Sequence, residues 1–284
     1  MKFSSEQFRG WDKKAITLLG MSGVGKTHLA RILRKHQWFH YSGDYRIGTR
    51  YMGEAILDNV KIQAMTNRFL WDLLRSDSIH ITNNISVDNL QLLSSFLGKV
   101  GNPELGGLGL AEFKKRQQLH RTAEIASMQD VPGFITRARE IYGYDNFVND
   151  AGGSLCDLDD SECIETLAGH TMILYIRATE EDEQELIKRA EADPKPLYFR
   201  DDFLDPQLTQ YMAEQQLEYV AQIDPDDFVR WVFPSLYRAR IPRYEAIANK
   251  YGYTVTTQEL AKVEEETDFL DLLAQVLDRG EKSY

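Results

Sequence analysis

The sequence predicts an α/β fold: a parallel sheet between helical layers, carrying a large helical insertion and a helical C-terminal tail. Three observations lead there. An apolar run from Ala15 to Leu19 passes through a glycine-rich turn into good helix formers from Thr27 to Lys35, the strand, loop and helix that open an α/β unit. Further short apolar runs, Trp38 to Tyr41, Phe147-Val148 and Met172 to Ile176, lack the polar alternation of a half-solvated strand, as strands covered on both faces do. Between them, residues 52–143 are dominated by helical spacing.

From about Tyr45 to Arg75, Ile56, Val60, Ile62, Met65, Phe69, Leu70, Leu73 and Leu74 recur at near-helical intervals. Ile79 to Thr82 reads as a short strand and Val87 to Leu97 as a helix. Residues 98–110 hold five glycines and Pro103, a loop signal. A polar helix with Lys114, Lys115, Arg116, His120 and Arg121 follows, read as a solvated face. Glu180 to Ala192, Asp205 to Ala221 and Tyr237 to Lys250 are expected helices, and Tyr253 to Val255 a last strand. Glu259 to Leu277 is an amphipathic tail whose Leu260, Val263, Phe269 and Leu273 either pack on the core or form a dimer seam. The expected division is a core of residues 1–51 and 144–256 with a lid near 182–203, an insertion at 52–143 capping an acceptor, and a tail at 257–284.

Over 284 residues, 33 Lys+Arg stand against 44 Asp+Glu, a formal charge of −11. That balance argues against general nucleic-acid or anionic-membrane binding, both of which need a positive field. No window approaches the ~20 apolar residues of a spanning helix. Two cysteines, Cys156 and Cys163, make no disulfide framework, so a reduced cytoplasmic setting is expected and both read as packing residues.

The chemistry is concentrated in Gly20-Met-Ser-Gly-Val-Gly-Lys-Thr27, a complete G-x-x-x-x-G-K-[ST] phosphate-loop motif between an expected strand and an expected helix. Its glycines let backbone N–H groups curl around phosphate oxygens, and the helix adds its positive dipole end. Nucleotide contact is therefore assigned to Gly20, Ser22, Gly23, Val24, Gly25, Lys26, Thr27 and His28. Lys26 would reach the β- and γ-phosphates, and Thr27 would ligate Mg²⁺. A carboxylate near the metal is also required; Asp150, following Phe147-Val148-Asn149, is the best placed, against the plainer reading of a turn aspartate before Gly152-Gly153.

Four segments in order resemble the shikimate kinase and gluconate kinase group of P-loop small-molecule kinases. Beyond the phosphate loop, Trp38-Phe-His-Tyr-Ser-Gly-Asp44-Tyr-Arg46 is similar to that group's strand ending in D-x-D, with Ser42 in place of the first Asp. The match implies that Asp44 holds the acceptor hydroxyl. Asp150-Ala-Gly-Gly-Ser154 resembles the group's glycine-rich turn, implying acceptor contact by Gly152 and Gly153. Leu186 to Leu197 is similar to its lid, with Lys195 where an Arg is usual and Arg189 nearby, and Arg238 to Ala248 to the R-x-P-L-Y-E helix start, placing Arg240 on an acceptor anion. The resemblance implies ATP with Mg²⁺ and phosphoryl transfer to a small anionic acceptor. From Asp44 to Gly152 is 152 − 44 = 108 positions, far more than the compact kinases use, so shikimate itself is not the expected acceptor. No N-K-x-D guanine signature is present, which favours ATP.

Several readings stay open at this level. Arg46 and Arg50, four apart, face an anionic acceptor or simply solvent. Arg177 is read as an ordinary ion-pair partner of the nearby acidic run. Asp44 either activates a hydroxyl or caps the helix beginning near Tyr45. His36 and His40 have H-x-x-x-H spacing but straddle a helix end and a strand, which removes the shared face zinc needs. A P-loop ATPase acting as a conformational switch on a protein partner is the second functional class, and the tail offers a seam for an oligomer.

Overall fold

The computed structural model describes residue 3 and residues 5–281. The apolar runs form five strands: β1 (Ala15–Leu19), β2 (Trp38–Ser42), β3 (Asn146–Asp150), β4 (Met172–Arg177) and β5 (Gly252–Thr256). All pair in parallel, in the spatial order β2-β3-β1-β4-β5. β1 and all but the last residue of β4 are buried throughout, so side chains on both faces of the sheet are covered, as helical layers on either side require. β1 lies at the centre with β3 and β4 as neighbours, and the parallel strands all present their carboxyl ends on one side, the usual ligand side of such sheets.

The chain divides into two compact units. One comprises residues 1–43, 125–194 and 230–284; the other comprises 44–124 and 195–229. This departs from the division expected above. The second unit begins at 44 rather than 52, the stretch 125–143 belongs with the sheet, and 195–229, expected in the core and lid, belongs with the insertion. The tail is part of the sheet unit: Trp38 donates its indole N–H to Glu266 Oε1 at 2.6 Å and meets the Phe269 ring edge-on at 6.2 Å. Phe269, Leu273 and Leu277 are buried within the chain, so most of the apolar stripe is used there.

The second unit has its own core of Ile47, Met52, Ile56, Ile85, Leu93, Phe96 and Ala123. Residues 79–82 form no strand there; no neighbouring edge pairs with them, and an unpaired strand is unstable. The helix Leu110–Gln129 corrects a second expectation. Arg116, Gln117 and His120 are buried, not solvated: Arg116 and Gln117 find hydrogen-bond partners inside, and the His120 ring stacks on Tyr198 at 5.6 Å. Arg116 donates to Phe96 O at 2.6 Å, and Gln117 Oε1 accepts from Phe199 N at 2.9 Å.

The helix expected at Tyr237 starts twelve residues earlier, running Pro225–Tyr251 through Pro234 and Pro242. A proline inside a helix loses one hydrogen bond and clashes with the preceding turn. Here Phe228, Val232, Leu236, Arg240 and Tyr244, spaced by four, are all buried, and that burial outweighs the local penalty. Among the described residues no helix is long and apolar enough to cross a membrane.

Candidate active site

The phosphate loop leaves β1 at Gly20, which has φ +147°; a Cβ there would stand 2.8 Å from Ile176 O of β4, so only glycine fits. Gly25 closes the loop in the left-handed region, φ 97°, ahead of the helix Lys26–Arg34. Lys26 is buried and donates Nζ to Gly20 O at 2.7 Å and Met21 O at 2.8 Å, holding its ammonium against the loop it serves. Ser22 and His28 are exposed, and Val24 is buried.

Thr27 donates Oγ1 to Asp150 Oδ2 at 2.7 Å. The register explains this meeting: Asp150 ends β3 opposite Leu18 of β1 and Ser42 of β2, beside the start of the loop. Two oxygen donors, a hydroxyl and a carboxylate, fit Mg²⁺. The turn after Asp150 packs directly on the loop, since a Cβ on Gly153 would lie 2.9 Å from Ser22 N.

Arg240 has a different place from the one the family pattern implies. Its side chain is 4% exposed; Nε donates to Asp157 Oδ2 at 2.6 Å and Nη1 to Gly153 O at 3.0 Å. Burial opposes its charge most strongly, but Asp157, Tyr244 and Cys156 together outweigh burial and raise the pKa further above its ordinary value. Tyr244 adds a second donor to Gly153 O at 2.6 Å. Arg240 therefore braces the glycine turn instead of presenting its guanidinium to an acceptor. Burial pushes the neighbouring Cys156 thiol up to about 12, which keeps it protonated and fits a packing role; both cysteines are buried and free.

The helix Glu180–Ala192 begins with a capping box at Thr179 and Asp182. Its Leu186 reaches the loop, with Cδ2 2.8 Å from where a Cβ on Gly23 would stand. Asp182 Oδ2 also accepts from Thr257, tying this helix to the short helix Thr257–Leu260. Arg189, expected on the phosphoryl group, is exposed and bonded to Glu185 Oε1 at 2.9 Å. Lys195 is exposed and opens the 195–229 segment of the other unit. Asp44 and Arg46 also belong to that unit. Asp44 lies within the first turn of Gly43–Arg46, inside the helix and not before it, and Arg46 sits over the Tyr51 ring at 5.5 Å. Gly43, the preceding residue, packs on the Asp150–Gly152 turn, where its Cβ would be 3.4 Å from Asp150 O and 3.6 Å from Gly152 N.

Sequence reasoning missed a cavity of about 480 Å³ at the carboxyl ends of β4 and β5, lined by Arg177, Glu245, Asn249, Thr254, Thr256, Glu259 and Arg279. Arg279 comes from the tail helix and pairs with Glu259 at 2.5 Å. Leu260, one residue beyond Glu259, lies 3.5 Å from the Cβ position of Gly25, so the same short helix borders both cavity and loop. His40 was also missed as a neighbour of Asp150, although strand alternation places it on the Ser42 face of β2.

A glycine loop with a buried lysine, a helix N-terminus, and a threonine bonded to a carboxylate on the adjacent parallel strand make this chain a P-loop α/β protein with a helical insertion. No family model matches the chain, and neither does any curated protein. Among solved structures it is similar to shikimate kinase from Bacteroides thetaiotaomicron, at 15% identity over 94% of this chain and 98% of that one, with a TM-score of 0.41. It is also similar to shikimate kinase from Acinetobacter baumannii in complex with shikimate, at 15% identity over 97% of each chain and a TM-score of 0.39.

Proposed function

We propose that the chain is a kinase that transfers the γ-phosphoryl group of ATP to a hydroxyl of a small, anionic acceptor. The observation that carries this reading is the 2.7 Å hydrogen bond from Thr27 to Asp150 at the mouth of a complete phosphate loop. That pair has the donor chemistry of a Mg²⁺ site, and the cation, when bound, would neutralise charge on the β- and γ-phosphates. Lys26 is within the loop to do the same from the other side. The cavity at the carboxyl ends of β4 and β5 takes the base, supported by its position across Leu260 from Gly25.

On the acceptor side, Asp44 positions the hydroxyl and accepts its proton as the new bond forms. Gly152 and Gly153 line the pocket with backbone, and Arg46 supplies positive charge to the acceptor's anion. Leu186 on the phosphate loop supports a covering role for Glu180–Ala192, with Arg189 and Lys195 delivered to the transferring group on closure.

The test is ³¹P NMR of the full chain with ATP and Mg²⁺ against a panel of hydroxy acids and polyol phosphates. A new phosphoester resonance, appearing only with one acceptor class, supports transfer. ATP consumed at the same rate with every acceptor and with none would overturn it in favour of a hydrolytic switch working on a protein partner.

A further inference from the structure

Residues two apart on a strand share a face, so His40 and Ser42 project together from β2, and register sets them beside Val148 and Asp150 of β3. The His40 side chain is 2% exposed, and its Nε2 stands 3.6 Å from Asp150 Oδ2. That is too long for a hydrogen bond, and this nitrogen makes no other hydrogen bond among the described residues. His36, its partner in the H-x-x-x-H spacing, lies instead by Glu266, 4.0 Å away. A buried imidazole nitrogen thus faces a carboxylate oxygen without bonding to it, while Thr27 Oγ1 touches that same oxygen at 2.7 Å.

At 3.6 Å the two atoms stand slightly farther apart than two ligands of one cation, so a bound cation would draw them together by a few tenths of an ångström. With metal–nitrogen and metal–oxygen bonds of about 2.0–2.2 Å, neighbouring ligand atoms lie roughly 3.0 Å apart in octahedral and 3.4 Å apart in tetrahedral sites. We propose that His40 Nε2 is a further ligand of the nucleotide-associated cation, beside Asp150 and Thr27, so that the site favours a nitrogen-accepting divalent ion such as Mn²⁺ or Co²⁺ over Mg²⁺. The inference rests on the reading that Thr27 and Asp150 hold the cation. Its chemical basis is that Mg²⁺ takes oxygen donors and keeps its waters, whereas imidazole suits the transition ions. Among the described residues no group of three or more His, Cys, Asp and Glu is placed to hold a metal. The site therefore needs phosphate oxygens to complete its shell, and the cation binds tightly only with nucleotide.

The experiment uses the full chain with ADP and either Mn²⁺ for electron spin echo spectroscopy or Co²⁺ and Mg²⁺ for calorimetry. The wild-type Mn²⁺–ADP complex is expected to show coupling to a directly bound imidazole ¹⁴N, and Co²⁺ to bind more tightly than Mg²⁺. His40→Gln is expected to lose that coupling and to lower the Co²⁺ preference by ~10-fold or more, the scale on which metal sites respond to a lost partner. If Mn²⁺ binds with ADP but no imidazole coupling is seen, the inference is overturned and the Thr27–Asp150 reading stands. If no divalent ion binds with ADP, that reading fails as well. Should His40→Gln not fold, the wild-type coupling alone decides.

Discussion

The Thr27 hydroxyl donates to Asp150 Oδ2 at 2.7 Å across 123 positions of sequence. The bond joins the first turn of the phosphate-loop helix to the end of the neighbouring strand. It leaves the Thr27 oxygen lone pairs and the remaining lone pairs of the Asp150 carboxylate, on Oδ2 as well as Oδ1, for a cation. Asp150→Asn keeps the shape but removes a charge, so the Mg²⁺ concentration at half-maximal ATP turnover should rise by ~10-fold or more, read from a metal titration at fixed ATP. Lys26→Ala, which removes the ammonium held against Gly20 and Met21, should abolish turnover and weaken nucleotide binding. Undiminished turnover in a folded Lys26→Ala protein would sink the phosphate-loop assignment.

Asp44 is tested by the change that preserves its size and helix preference but not its basicity. Asp44→Asn should retain thermal stability and ATP affinity while phosphoryl transfer falls by ~10²-fold or more, the usual scale for loss of a general base. Single-turnover transfer with the acceptor found by NMR is the measurement. Wild-type transfer in this variant would remove Asp44 from the chemistry.

Arg240 and Asp157 form an ion pair in which the side chains are 4% and 5% exposed. Removing one partner strands the other as an uncompensated buried charge, a loss of about 3–5 kcal/mol. Arg240→Ala should accordingly lower the denaturant midpoint sharply, whereas Arg238→Ala, whose partner Glu183 it meets from a largely exposed position, should cost less than ~1 kcal/mol of unfolding free energy and barely move it. Equal effects would mean that the buried pair is not what braces the Gly153 turn.

The Asp182 carboxyl is partly desolvated, which pushes its pKa up, but hydrogen bonds from Thr257 and Thr179 outweigh this and hold it below the ordinary value of 3.8. A depressed folded-state pKa stabilises the fold above the unfolded value, and that contribution is lost as pH falls through the folded value. The wild-type melting temperature should therefore fall on acidification from pH ~5 to pH ~3, and Asp182→Asn should start lower at neutral pH and fall less over the same window. Parallel melting curves for the two proteins would show that this carboxylate does not tie the helix at 180–192 to the one at 257–260.

Local signals carried what was legible in the amino-acid order. The phosphate loop lies within eight consecutive residues, and its chemistry depends on glycine conformations and a helix N-terminus that those residues themselves create. The strands at 15–19 and 172–177 were readable because a buried parallel strand is an unbroken apolar run. The helix at 180–192 was expected from the sequence, and the structure adds the capping box of Thr179 and Asp182 at its start.

What depended on distant partners was decided only by the tertiary structure. Arg240 looked like an anion ligand until Asp157, 83 positions away, was seen to hold it. Arg116, Gln117 and His120 resembled a wet helix face until the hydrogen bonds of Arg116 and Gln117 and the Tyr198 ring stacked on His120 showed them packed inside the second unit. The run at 79–82 had strand composition but no neighbouring edge, while the helix from Pro225 kept two prolines because its buried side chains outweighed the lost hydrogen bonds. Side-chain type and spacing set local conformation, but a charged or polar group takes its role from what long-range packing brings within about 3 Å of it.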